Sequence, residues 1–136
     1  MPIIDSDAHV IESNRTWSYL AENEKHFAPL VLGMEERGRE AETGVAAQYW
    51  FSGNFIQTKD NADTKSMDEE SREMGSVGAR LKHMDELNID IQVLYPTIFL
   101  FPCARDAEQQ AAQYRAYNRW LSDIWKLGGG RLRWAA

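Results

Sequence analysis

Hydrophobic and polar positions alternate with two different periods along this chain, and the order of those periods sets the reading. Ile3 and Ile4 lead into polar–apolar alternation through Glu12, a short strand in which Asp5, Asp7 and His9 share one side. Ile4, Ser6, Ala8 and Val10 face the other way. A second strand runs from Ile89 to Tyr95 and is stopped by Pro96; a third starts at Arg131 and carries Leu132 and Trp134. Between them the period is helical. Ser66 and Glu69 form a capping box opening a helix whose stripe is Met74, Val77, Leu81, Met84 and Leu87, weakened by Gly75 and Gly78. Asn88 then suits a left-handed stop. From Arg105 a further helix presents Tyr114, Tyr117, Leu121, Ile124 and Trp125 on one face, and Gly128, Gly129 and Gly130 end it.

The stretch after the first strand is different. A short helix is expected over Thr16–Glu24 with Thr16 as its cap. Two β-rich pieces follow, and Gln48–Ile56 reads as a hairpin about Gly53-Asn54, its aromatics Tyr49, Trp50, Phe51 and Phe55 forming a small packed flap. Lys59–Lys65 reads as a polar loop. Strands that alternate with helices imply βαβ units and a parallel sheet. The fold class is therefore α/β, one incomplete domain over residues 1–136, with a β-rich insertion at about 13–65. Three parallel strands leave edges that need cover. The loop after the second strand, Ile98-Phe99-Leu100-Phe101, is apolar enough to need covering too, by a larger fold, a subunit partner or a substrate.

Composition narrows the partners. Acidic residues outnumber basic ones by 21 to 15, giving a net charge of −6 with no basic block, which disfavours nucleic acid and anionic membranes. No stretch is apolar and long enough to span a bilayer. One cysteine, Cys103, permits no internal disulfide, and with no secretory signal the expectation is a cytoplasmic protein.

The candidate chemistry lies on the first strand. Asp7 and His9 would have Cα atoms roughly 6.5–7 Å apart there, a spacing from which both side chains can reach one divalent cation at about 2.0–2.2 Å. An Asp-x-His pair by itself is more often a polar strand end or a helix cap. What favours a cation is three titratable groups on one face with no Lys or Arg close in sequence to offset them. Two ligands are too few for a catalytic metal, so at least one more must come from elsewhere. His26 and His83 read as solvated.

Three blocks together resemble the amidohydrolase-related superfamily, specifically the branch of aminocarboxymuconate-semialdehyde decarboxylase and the hydroxybenzoate-type decarboxylases. They are Ile4–Glu12, Arg80–Thr97, and Tyr117–Leu121 followed by Arg131–Trp134. The resemblance implies a metal-dependent (β/α)8 TIM barrel, of which this chain would supply about the first three strands. It implies Asp7 and His9 as metal ligands, Asp5 and Glu12 as residues supporting them, and zinc or manganese as the metal. Because the loops after barrel strands form the active-site face, it also points to Trp17, Phe99 and Phe101 as substrate contacts. Ser13 stands where many relatives have proline, and Asn88 where glycine is usual. Such barrels need about 250 residues, and the later His and Asp ligands have no counterpart here. The expectation is an N-terminal fragment of a hydrolase or non-oxidative decarboxylase acting on a small carboxylic or aromatic acid, inactive alone and homo-oligomeric. The rival is a non-catalytic module that oligomerises through its open edges.

Overall fold

The computed structural model describes residues 1–34, 47–59, 67–101 and 103–136. The elements in chain order are β1 (Ile4–His9), α1 (Asn14–Trp17), a 3-10 turn (Glu22–Phe27), β2 (Leu30–Met34), β3 (Ala47–Ser52), β4 (Phe55–Thr58), α2 (Glu69–Arg72), α3 (Val77–Glu86), β5 (Ile91–Tyr95), a 3-10 turn (Ile98–Leu100), α4 (Ala107–Leu127) and β6 (Leu132–Trp134). β1, β5 and β6 lie side by side in that order, both pairings parallel. β2, β3 and β4 form a separate antiparallel sheet. The first sheet carries the expected βαβ order, with α3 between β1 and β5 and α4 between β5 and β6.

Local chemistry explains most element ends. α1 begins two residues before the expected cap: Ser13 is the N-cap, and Thr16, expected to be the cap, returns the bond from inside the helix as the other half of a capping box. The single helix expected from Ser66 to Leu87 is two. Ser66 lies outside the described residues; α2 is capped by Asp68, whose carboxylate accepts the Ser71 amide, and α3 by Ser76, which accepts the Ala79 amide. Between them Met74 takes φ of 53°, a left-handed conformation that ends the first helix and is rare away from glycine. α3 then closes as the sequence indicates. Asn88 has φ of 56°, its amide bonds Asp85, and the next amide, Ile89, bonds Met84. Those two bonds are a Schellman motif.

Two apolar clusters fill the interior. Between the parallel sheet and its helices lie Ala8, Val10, Met84, Leu94, Leu121, Ile124 and Leu132, with Met74, Tyr117 and Trp120. The flap packs on the first half of α4 through Trp17, Leu20, Phe27, Trp50, Ile98, Ala112 and Ala116. Tyr19 and Phe99 touch both clusters. The buried face of α4 keeps Tyr117, Leu121 and Ile124 of the expected stripe and widens to Ala112, Ala116 and Trp120, while Tyr114 and Trp125, also expected inside, are exposed. Small alanines let the flap approach closely. Gly53, with φ of 59°, makes its own close approach, since a Cβ there would lie 2.9 Å from the Arg105 amide nitrogen. On the flap's outer face, Leu30, Phe51 and Ile56 pair across the strands and are 58%, 37% and 60% exposed.

Lys59 is not part of a polar loop. It is buried, donating to Gln48 and ion-paired with Glu73. The rest of the stretch expected to be that loop lies outside the described residues.

Leu94 is 1% exposed at the centre of the parallel sheet. Leu94→Ala is expected to cost about 2–5 kcal/mol of stability, as cavity-forming core truncations do; urea denaturation followed by tryptophan fluorescence measures it.

Candidate metal centre

β1 is not a regular strand. Asp5 pairs with Gln92 and Ala8 with Leu94, so β1 spends three steps where β5 spends two, a bulge at Ser6–Asp7. Side chains at Gln92 and Leu94 share a face, which puts Asp5 beside Ala8 on the helix-covered side. Asp5, Asp7 and His9 therefore do not share one side, as unbroken alternation predicts. After the bulge Asp7 and His9 turn to the opposite face, where Tyr95, paired with His9, also stands.

The missing countercharge also comes from the helix layer. Arg80 of α3 is 2% exposed and donates through Nε to Gln92 Oε1 at 2.8 Å. Gln92 Nε2 donates to Asp5 Oδ2 at 2.9 Å, and Asp5 Oδ1 accepts the Asp7 amide at 3.2 Å. Burial pushes the Arg80 guanidinium down to about 10, partly opposed by the Asp5 charge. It remains a cation at neutral pH.

Asp7 and His9 themselves are brought together. His9 Nε2 lies 3.9 Å from Asp7 Oδ1, within twice the length of a metal–ligand bond. His9 Nδ1 is 3.2 Å from the Pro96 carbonyl oxygen. A carbonyl only accepts, so Nδ1 carries a proton there, and Nε2 is the ring nitrogen turned toward Asp7. This is the orientation that a metal-binding imidazole needs. The Asp7 side chain is 92% exposed and that of His9 29%. The donor set of one carboxylate and one imidazole therefore fits a divalent cation. Among the described residues no group of three or more His, Cys, Asp or Glu side chains is arranged to hold one. His26 packs against Phe27, and His83 lies 3.9 Å from Glu86.

Glu12 occupies a different place from the pair. It is fully buried and accepts the backbone amides of Thr97, at 3.2 and 3.3 Å, and Ile98, at 3.0 Å. Gln57 of β4 donates to the carbonyls of the same two residues. The apolar loop after β5 is thus held on both sides of its backbone, by Glu12 and by the flap. Burial pushes the Glu12 carboxyl up to about 7 against its three backbone hydrogen bonds. Burial also raises Cys103 and Tyr117, and the Glu12 charge adds to it.

The three expected substrate contacts are spread out. Trp17 is buried, its ring edge-on to Trp50 and Phe99. Phe99 also meets Tyr114 and Tyr117 edge-on, and Phe101 is 67% exposed. Sequence reasoning missed Arg80 and Gln92. The signal was present: Arg80 lies three residues after Val77 and four before Met84, on the apolar stripe.

No family model matches the sequence, and no curated protein does. A crystal structure of an amidohydrolase from Mycobacterium avium subsp. paratuberculosis K-10 matches with a TM-score of 0.62 at 18% identity. The match covers 98% of this chain and 41% of that one. The fold is similar to part of that protein's. This chain spans about two-fifths of that protein's length, and among the described residues the parallel sheet has three strands and does not close into a barrel. No helix among the described residues is long and apolar enough to cross a membrane.

Stability should report the Glu12 environment. Its carboxyl binds a proton more tightly folded than unfolded, so between about pH 4.5 and 7 the native state holds more protons. Stability then falls as pH rises through that window, by on the order of 3 kcal/mol for a shift of this size. Glu12→Gln is expected to remove that slope; urea midpoints of both proteins from pH 4.5 to 8 check it.

Proposed function

We propose that this chain is the portion of a metal-dependent amidohydrolase-type enzyme that contributes the first two metal ligands, Asp7 and His9. The observation that carries the reading is the His9 ring. Its Nδ1 is engaged by the Pro96 carbonyl and its Nε2 is directed at a carboxylate, at the carboxyl ends of adjacent parallel strands. Barrel enzymes place their chemistry at those ends. The sheet face that bears the pair supports the same reading. Ile4, Asp7, His9, Ile91, Val93, Tyr95 and Arg133 lie on it, all exposed or half-exposed, whereas the opposite face is covered by helices. Parallel sheets are normally covered on both faces, and the remaining length of a barrel would close over this one.

Asp7 Oδ1 and His9 Nε2 would hold the cation, zinc or manganese, both of which accept mixed oxygen and nitrogen ligands. Such a cation supplies Lewis-acid activation of water, or of a substrate carboxylate, in hydrolysis or in non-oxidative decarboxylation of a small carboxylic or aromatic acid. This chain's own residues orient the imidazole and fix the loops beside it: Pro96 sets the tautomer, and Glu12 holds Thr97 and Ile98. Phe99 and Phe101 are on the loop that follows β5; Phe99 is packed on Trp17 and Tyr117, so the exposed Phe101 is the one free to meet a substrate.

A second reading, an oligomerising module, is favoured by the exposed row Leu30, Phe51 and Ile56 on the flap. Sedimentation velocity distinguishes it: under that reading the wild type is a dimer, and Ile56→Lys with Phe51→Glu makes it monomeric.

Metal titration tests the leading reading. The wild-type chain is expected to bind Zn(II) or Mn(II) weakly and without turnover, and an Asp7→Ala, His9→Ala double variant is expected to lose that binding. Equal binding by both proteins, measured by isothermal titration calorimetry, would falsify it.

A further inference from the structure

Arg80 is costly where it stands. A guanidinium that is 2% exposed has given up nearly all its water, and a leucine would continue the stripe of Val77 and Met84. The side chain spans both strands that meet at the bulge. Nε donates to Gln92 on β5 at 2.8 Å, Nη2 donates to the His9 carbonyl on β1 at 3.2 Å, and Nη1 faces the Met67 sulfur at 2.7 Å. Through Gln92 the same fork reaches Asp5, and Asp5 Oδ1 accepts the amide of Asp7. One planar cation therefore touches the backbone of one candidate ligand directly and that of the other through two side chains. A lysine carries the charge but cannot serve two acceptors on different strands in one plane.

We propose that Arg80 is a positioning residue for the Asp7–His9 pair: its fork sets the bulge in β1 and thereby aims both ligands at one cation. The proposal rests on the function assigned above to that pair. Arg80 lies on the helix side of the sheet and the pair on the open side, so the guanidinium acts through the strand backbone and touches neither the cation nor substrate. Asp5 offsets its charge, leaving the Asp7 carboxylate for the metal.

The test uses the full chain with Co(II) as the probe, read by visible absorption and calorimetry, and hydrogen exchange at the Asp7 amide without metal. Arg80→Lys and Gln92→Leu are expected to bind Co(II) at least tenfold more weakly, as losses behind metal ligands do. Their absorption bands should shift, and the Asp7 amide should exchange faster than its neighbours in β1. Leu94→Ala, which weakens the same sheet without touching the network, is the control and is expected to keep wild-type affinity. The positioning role is overturned if the two network variants bind as the wild type does, or if Leu94→Ala loses as much affinity as they do. A different pattern, Co(II) binding unchanged in the Asp7→Ala, His9→Ala variant, removes the site itself and this proposal with it.

Discussion

A strand that carries one residue more than its parallel partner must reverse the faces of its side chains, and that constraint governs everything at this site. The extra residue in β1 at Ser6–Asp7 lets Asp5 join the helix layer while Asp7 and His9 turn outward. Without it, three acidic or titratable side chains would crowd one face with no cation nearby. With it, the acidic group on the helix side meets Gln92 and, beyond it, Arg80. The two groups left on the other side are a carboxylate and an imidazole, the donors a divalent cation accepts.

The bulge alone does not fix where those donors point. The loops that follow the strands do. Val10 accepts the Thr97 hydroxyl, its amide bonds Tyr95, and Glu12 takes the amides of Thr97 and Ile98. β1 and β5 therefore leave the sheet as one stitched unit, and the Pro96 carbonyl that sets the His9 tautomer is anchored within it. The flap contributes from outside through Gln57, and Gln113 of α4 donates to Phe27 and Ser52 on the flap side. A buried carboxylate is an expensive way to hold a loop, since desolvation opposes its charge. Backbone amides offset part of that cost, and a protonation equilibrium near neutrality is the physical result.

The elements and their order were legible because their signals are local. Alternation marked β1, β5 and β6, the Gly53-Asn54 turn marked the hairpin, and Asn88 marked the end of α3. What escaped was set by tertiary contact. The break between α2 and α3 depends on Met74 adopting a left-handed conformation, which its side chain does not advertise. Tyr117, Leu121 and Ile124 of the expected α4 face are buried, but the flap that packs on Ala112 and Ala116 widens that face toward small residues that hydrophobicity alone does not pick out, and Tyr114 and Trp125 are left exposed. At the site, Asp7 and His9 could be picked out as a pair from spacing. The side of Asp5 could not, because a bulge is visible only in the pairing with β5.

Arg80 shows how such a miss arises and what it teaches. Reading α3 for its stripe, Val77, Leu81, Met84, treats a charged residue as belonging to the solvent side, yet position 80 falls inside that stripe. A charge at a buried helical position is affordable only where acceptors await it, and here they are a glutamine side chain and a strand carbonyl. Both acceptors lie on strands whose other face bears the candidate ligands. If stability alone mattered, an apolar residue of similar volume would serve as well or better, as replacements of buried ion pairs often do. A fixed geometry between two strands is what an apolar residue cannot impose, and the proposed Asp7–His9 pair is the local feature that would need it.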